Sequence, residues 1–125
     1  MLVRRALHAR GFRYRLHVRD LPGRPDLVFP SLRAVIFVHG CFWHGHDCVL
    51  FKLPRSNAEF WEAKIDRNRA VDQRAVAALG VLRWRVLTLW ECALRGPGRR
   101  PVYQVIDEVS EWLRSGAPSR ELRGE

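Results

Sequence analysis

The chain has 125 residues, 47% of them hydrophobic, and sets 22 Lys and Arg against 13 Asp and Glu, for a net charge of +9. That length supports one domain with a core of its own. No apolar run reaches the length of a membrane span, and the opening MLVRRALHAR carries charge where a secretory signal needs an apolar stretch, so no membrane association and a cytosolic protein are expected. The sequence pI of 10.9 points to a polyanionic partner, nucleic acid before any other. Only Lys52 and Lys64 are lysine. Arginine forks suit phosphates and base edges, although codon usage in a GC-rich genome gives the same bias. The cysteines number three, an odd count that speaks against a disulfide framework and for metal binding or buried thiols.

In chain order, MLVRRALHARG predicts an amphipathic helix with Leu2, Val3, Ala6 and Leu7 on one side and Gly11 as its stop. It begins uncapped, like a helix entered midway. FRYRLH alternates apolar and basic residues and predicts a strand with one wet face. RDLPGRP is turn chemistry. DLVFP and AVIFV, separated by SLR, read as adjacent buried strands in a hairpin. After the loop HGCFWHGHDCVLF, Ser56 and Glu59 make a capping box for a long helix running to about Leu79, with Gly80 as its stop. LRWRVLTLWE is the next strand. Pro101 opens a last helix with Val102, Val105, Ile106, Val109, Trp112 and Leu113 at helical spacing. From Ser115 the chain is polar and is expected to be loose, which leaves residues 1–114 as a single domain and 115–125 as a tail. The order α-β-β-β-α-β-α predicts an α/β fold, a central mixed β-sheet flanked by helices.

The loop from His39 to Phe51 concentrates the chemistry. Cys41, His46 and Cys48 lie close in sequence, and Cys92 stands at the end of a later strand. Together they make a Cys3His set, the composition of a structural zinc site. Taken singly, Cys92 reads as a buried thiol rather than a ligand. With His46 on the metal, His39 and His44 remain as candidate general bases. Asp26 follows Pro25 into a buried strand and is either a turn residue or a ligand for a divalent cation such as Mg²⁺. Phe42, Trp43 and Trp61 are core anchors or rings that wedge between bases. Lys64, Arg67, Asn68, Arg69 and Arg74 on the long helix are a solvated face or contacts to phosphates and base edges.

The stretches RRALHARGFRYRLH, LPGRPDLVFP, AVIFVHGCFWHGHDC, FWEAKIDRNRAVD and WRVLTLWECAL resemble the very short patch repair (Vsr) mismatch endonucleases. The resemblance implies a fold similar to the PD-(D/E)xK restriction endonucleases, with a structural zinc loop. It implies a Mg²⁺-dependent enzyme that nicks one strand of duplex DNA 5′ to the thymine of a T·G mismatch left by deaminated 5-methylcytosine. It assigns Asp26 and the backbone carbonyl of Val38 to Mg²⁺, His44 to activation of the attacking water, and His39 to a neighbouring catalytic position. Cys41, His46, Cys48 and Cys92 would hold zinc. Phe42, Trp43 and Trp61 would insert beside the mismatch, with Lys64 and Asn68 as DNA contacts. Val38 stands where a threonine can stand, which a carbonyl ligand tolerates. Family members carry an upstream arm ending in Pro-Glu that clamps DNA, and this sequence opens at Met1 without it. A bacterial, cytoplasmic, nucleoid-associated monomer is expected, with mismatch-repair proteins as candidate partners. Two other readings stand beside this one: a zinc-stabilised member of the nuclease fold that binds DNA without cutting it, and a thiol or redox enzyme using Cys41, Cys48 or Cys92.

Overall fold

A computed structural model describes residues 2–125. The first helix, α1, spans Leu2–Ala9 and buries Val3 and Leu7, while Leu2, read as part of its apolar side, is exposed. Gly11 follows in the left-handed region at φ 91°, the conformation that glycine adopts at no steric cost. The strands β1 (Leu27–Phe29) and β2 (Ala34–His39) form the expected antiparallel hairpin, pairing Leu27 with Ile36. A 3₁₀ turn at Pro30–Leu32 and a left-handed Arg33 reverse the chain. The long helix α2 (Ala58–Val81) then returns the chain to β3 (Arg85–Trp90), which lies parallel to β2. After α3 (Val102–Ser115), a last strand β4 (Arg120–Leu122) adds to the far edge, parallel to β3. The result is a mixed sheet in the order β1-β2-β3-β4, flanked by helices, as the sequence predicts.

Side-chain alternation along the strands builds two cores. Leu27, Phe29, Ala34, Ile36, Leu87 and Leu89 face α1 and α3 and pack with Val105, Val109, Trp112 and Leu113. Val28, Val35, Phe37 and Val86 face the other way, against Leu79 of α2. On β2 this period of two places His39 on the α2 side, in phase with Val35 and Phe37.

Four expectations need correction. FRYRLH is not a strand: a single antiparallel bridge joins Arg15 to Val28. Its alternation reports burial rather than pairing, because Phe12, Tyr14 and Leu16 do pack into the α1/α3 core while a left-handed His17 (φ 58°) breaks the extended backbone. The capping box at Ser56 does not form, since Asn57 takes the N-cap position in the left-handed region with no side-chain cap bond. Gly80 does not stop α2. The helix runs through it to Val81, and Arg83 at φ 66° makes the left-handed exit, with Trp84 N–H donating to the Leu79 carbonyl. The segment after Ser115 is not a loose tail. It supplies β4, buries Leu122, and its Trp112–Pro118 return is pinned by an indole N–H to carbonyl bond of 2.8 Å.

Candidate active site and metal centre

Parallel pairing of β2 with β3 explains why ligands distant in sequence meet. His39 and Trp90 are register partners at the carboxyl ends of the two strands, so the loop after β2 and the 3₁₀ turn Glu91–Ala93 after β3 leave the same end of the sheet. The two connections are tied by the Cys41 amide, which donates to Glu91 Oε1 at 3.1 Å. Within the loop, His46 N–H donates to the Cys41 carbonyl at 2.9 Å, folding Cys41 and His46 together. The donor atoms of Cys41, His46, Cys48 and Cys92 then lie within 4.8 Å of one another. His46 Nδ1 is 3.6 Å from Cys41 Sγ and 3.5 Å from Cys92 Sγ. All three cysteines are free thiols. Burial pushes the Cys41 thiol up to about 12, so it keeps its proton unless a cation draws it off. This cluster, which sequence spacing brings together on paper, is a set that can hold a metal ion. Its surroundings are ordered too. The His46 ring stacks on Trp90 at 4.0 Å, Gly124 N–H donates to Cys92 Sγ at 3.3 Å, and Arg123 pairs with Asp47 at 2.7 Å.

Beside it lies a second cluster. The His39 and His44 rings stack in parallel, 3.8 Å apart at 4°. His44 Nδ1 meets Asp72 Oδ2 of α2 at 2.5 Å. Burial, with His44 next to it, pushes His39 down to about 4, so His39 is neutral at neutral pH. The donor atoms of His39, His44 and Asp72 also lie within 4.8 Å. Stacked rings, however, aim their lone pairs along parallel planes rather than at a shared point, and Asp72 already occupies His44 Nδ1. The arrangement is that of an oriented imidazole, with the carboxylate fixing the tautomer and leaving Nε2 to act. Both rings line a cavity of about 450 Å³ together with Thr88, Trp90 and Glu121.

Asp26 stands at the start of β1 and is exposed. Its Oδ2 accepts from the Val38 amide at 2.6 Å across the hairpin, so the structure brings Asp26 and Val38 together. Among the described residues its other carboxylate oxygen has no partner.

The aromatic residues converge as well. Phe42 and Trp61 centroids are 5.7 Å apart, Trp43 and Trp61 5.8 Å, and Trp43 is 49% exposed, too open for a core anchor. On α2 the residues Trp61, Lys64, Asn68 and Asp72 recur at helical spacing and so share the face turned to the loop. Lys64 Nζ sits 5.8 Å from the Trp43 ring. Asn68, read as a DNA contact, donates to the Trp43 carbonyl at 2.8 Å, and Arg69 donates twice to the Gly45 carbonyl, at 3.1 and 2.7 Å. These bonds lock loop to helix.

Sequence reasoning missed Asp72 and Phe60. Asp72 lies four residues beyond Asn68 on the loop-facing stripe, a signal submerged in the charges of a basic helix. Phe60, 56% exposed, meets Trp61 edge-on at 5.2 Å and extends the ring cluster.

Comparison with known proteins agrees with this geometry. Residues 1–50 match the family described as DNA mismatch endonuclease Vsr. The chain is 56% identical over 96 residues to the type II nicking enzyme V.XorIIP of Xanthomonas oryzae pv. oryzae, covering 77% of this chain and 71% of that protein. It is 46% identical over 107 residues to the DNA mismatch endonuclease Vsr of Escherichia coli, covering 86% of this chain and 69% of the relative. It is 35% identical over 113 residues to the type II nicking enzyme V.NmeAIP of Neisseria meningitidis, covering 89% and 81%.

Proposed function

The chain belongs to the family of Vsr DNA mismatch endonucleases, and from that premise we propose that it nicks one strand of duplex DNA 5′ to the thymine of a T·G mismatch, with Mg²⁺ at the reacting phosphate. That it is a DNA endonuclease follows from the family; the mismatch, the ion and the roles below are our reading. The observation that carries it is the His44–Asp72 contact at 2.5 Å, with His39 stacked on His44, at the carboxyl end of the sheet.

Asp26 and the Val38 carbonyl suit a hard cation: a carboxylate with a free oxygen beside a backbone acceptor, open to water and to phosphate oxygens. When bound, Mg²⁺ polarises the phosphate and offsets charge on the attacking and leaving oxygens. His44, its Nδ1 held by Asp72, takes the proton from the attacking water at Nε2. Neutral His39 fixes the plane of His44 by stacking. Phe42, Trp43 and Trp61, with Lys64 alongside, enter the base stack, where a mismatched pair opens more cheaply than a matched one. The Cys3His cluster fits zinc. Tetrahedral Zn–S and Zn–N bonds of about 2.3 and about 2.0 Å set S···N edges of about 3.5 Å, and the two observed edges are 3.6 and 3.5 Å. Zinc held there would be structural, fixing the loop that presents His44 and the rings. The same reading places the enzyme in the cytoplasm, beside its DNA substrate. No helix among the described residues is long and apolar enough to cross a membrane.

Asp26→Ala and His44→Ala are expected to keep affinity for T·G duplex and to lose nicking by a factor of about 10²–10⁴ or more. Wild-type nicking by either variant contradicts the assignment. Tight mismatch binding without any nick by the wild-type chain would leave a DNA-binding protein in its place.

A further inference from the structure

A second cavity, of about 350 Å³, is lined by Arg4 of α1, His17, Arg19, Arg24 and Asp26 itself. Six arginines elsewhere are held in ion pairs. Arg10 pairs with Asp107, Arg69 with Asp66, Arg95 with Glu91, Arg100 and Arg120 with Glu108, and Arg123 with Asp47. Arg4, Arg19 and Arg24 form no ion pair with any described residue, and the one acid in the wall, Asp26, is engaged by the Val38 amide. Three guanidiniums therefore face one carboxylate around a concave surface.

The backbone that carries them is fixed. Arg24 N–H donates to the Leu21 carbonyl at 3.2 Å, closing a turn. Gly23 within it has φ +74°, and a Cβ there would sit 2.7 Å from the Cβ of Ala75, so the turn is seated directly on α2. Arg15 and Val28 exchange both backbone bonds, at 2.8 and 3.0 Å, just before His17. His17 and Arg24 both hold left-handed φ, of 58° and 50°, a conformation that residues with a Cβ keep only where the surroundings enforce it.

We infer that this cavity is a binding site for a DNA backbone phosphate, with Arg4, Arg19 and Arg24 as its cations. The inference rests on the endonuclease reading above. Because Asp26 forms part of the wall, the phosphate held there is a neighbour of the one being cut. Guanidinium forks grip phosphate oxygens in a defined orientation. A grip one step along the strand fixes the register of the reacting phosphate, so these arginines are positioning residues.

The test combines protein and substrate changes on a short T·G duplex without Mg²⁺, so that nothing is cut. Each phosphate of the nicked strand near the cut is replaced singly by a neutral methylphosphonate, and binding is measured for wild type, Arg19→Ala, Arg24→Ala and Arg24→Lys. Retained metal content and melting temperature certify folding. One neutral linkage beside the nick is expected to weaken wild type by about tenfold and to add nothing further to the loss in Arg24→Ala. The slope of log K against log salt should fall by about one per arginine removed, and Arg24→Lys should keep the slope. Fully additive losses, or wild-type salt slopes in both alanine variants, overturn the site. If the endonuclease reading alone is wrong, wild type does not prefer T·G over T·A and does not nick when Mg²⁺ is then added, while the salt slopes on either duplex still report on the pocket.

Discussion

The two faces of the sheet are built on different principles. On one, α3 buries Val105, Ile106, Val109, Ser110, Trp112 and Leu113 within 14 residues, and apolar packing against α1 and the strands holds it. On the other, α2 buries only Ile65, Ala75 and Leu79 along 24 residues. Its middle turns are held by polar ties to the Cys/His loop: Asn68 to the Trp43 carbonyl, Arg69 to the Gly45 carbonyl and Asp72 to His44. The first face supplies stability. The second is a helix and a loop fastened to each other, and the fastening is as strong as the loop beneath it. The site therefore rests on the loop that carries the Cys3His cluster, and the hydrophobic core does not.

Removing the metal should therefore break the second face first. Chelation, or Cys92→Ser, is expected to abolish nicking and to raise amide exchange across residues 40–51 and the middle turns of α2, with slower exchange retained in α3; structural zinc contributes on the order of 10 kcal/mol in small zinc peptides. Uniform exchange loss over both faces would erase the contrast. Trp112→Ala attacks the first face. Trp112 is fully buried and carries Arg85 over its ring at 4.5 Å, so a loss of about 3–5 kcal/mol is expected in denaturant melts, with nicking per folded molecule unchanged. Asp72→Asn sharpens the comparison from the catalytic side. It should slow nicking by about 10²–10⁴-fold with little change in melting temperature, since it alters the orientation and charge partner of His44 and leaves the core intact; an equal fall in stability would make Asp72 a structural tie only.

The smallest effect concerns pH. Arg100, by hydrogen bond, and then Arg120 hold the Glu108 carboxyl below its usual range, against a burial effect that raises it. A depressed folded value means stability that is fully present above the unfolded value of about 4.5 and is lost as pH falls through the folded one. Glu108→Gln should flatten that acid-side decline by about 1 kcal/mol, as suits a half-buried ion pair at the surface. An unchanged pH profile would show that the ion pair contributes nothing.

What the sequence reveals and conceals follows the same division. Local, periodic features were legible: the hairpin at Leu27–Phe29 and Ala34–His39, the β3 run, the buried stripe of α3 and the Cys3His composition. Features that depend on the partner across the fold were not. Arg120–Leu122 offers one apolar residue, Leu122, and its pairing with β3 is visible only once β3 is in place. FRYRLH alternates because Phe12, Tyr14 and Leu16 reach the core, yet β1 offers it a single bridge. The helix ends are displaced from Ser56 and Gly80 because Asn57 and Arg83 take the left-handed positions. Asp72 looked like one more surface charge until His44 stood beside it.

The most direct measurement is to incubate the protein with Mg²⁺ and a T·G-mismatched duplex beside its T·A control and to map any nick at nucleotide resolution. A single cut 5′ to the mismatched thymine, absent from the control and lost on removal of the structural metal, is the predicted result. Equal cutting of both duplexes, or mismatch nicking that survives loss of the Cys3His metal, would contradict the account.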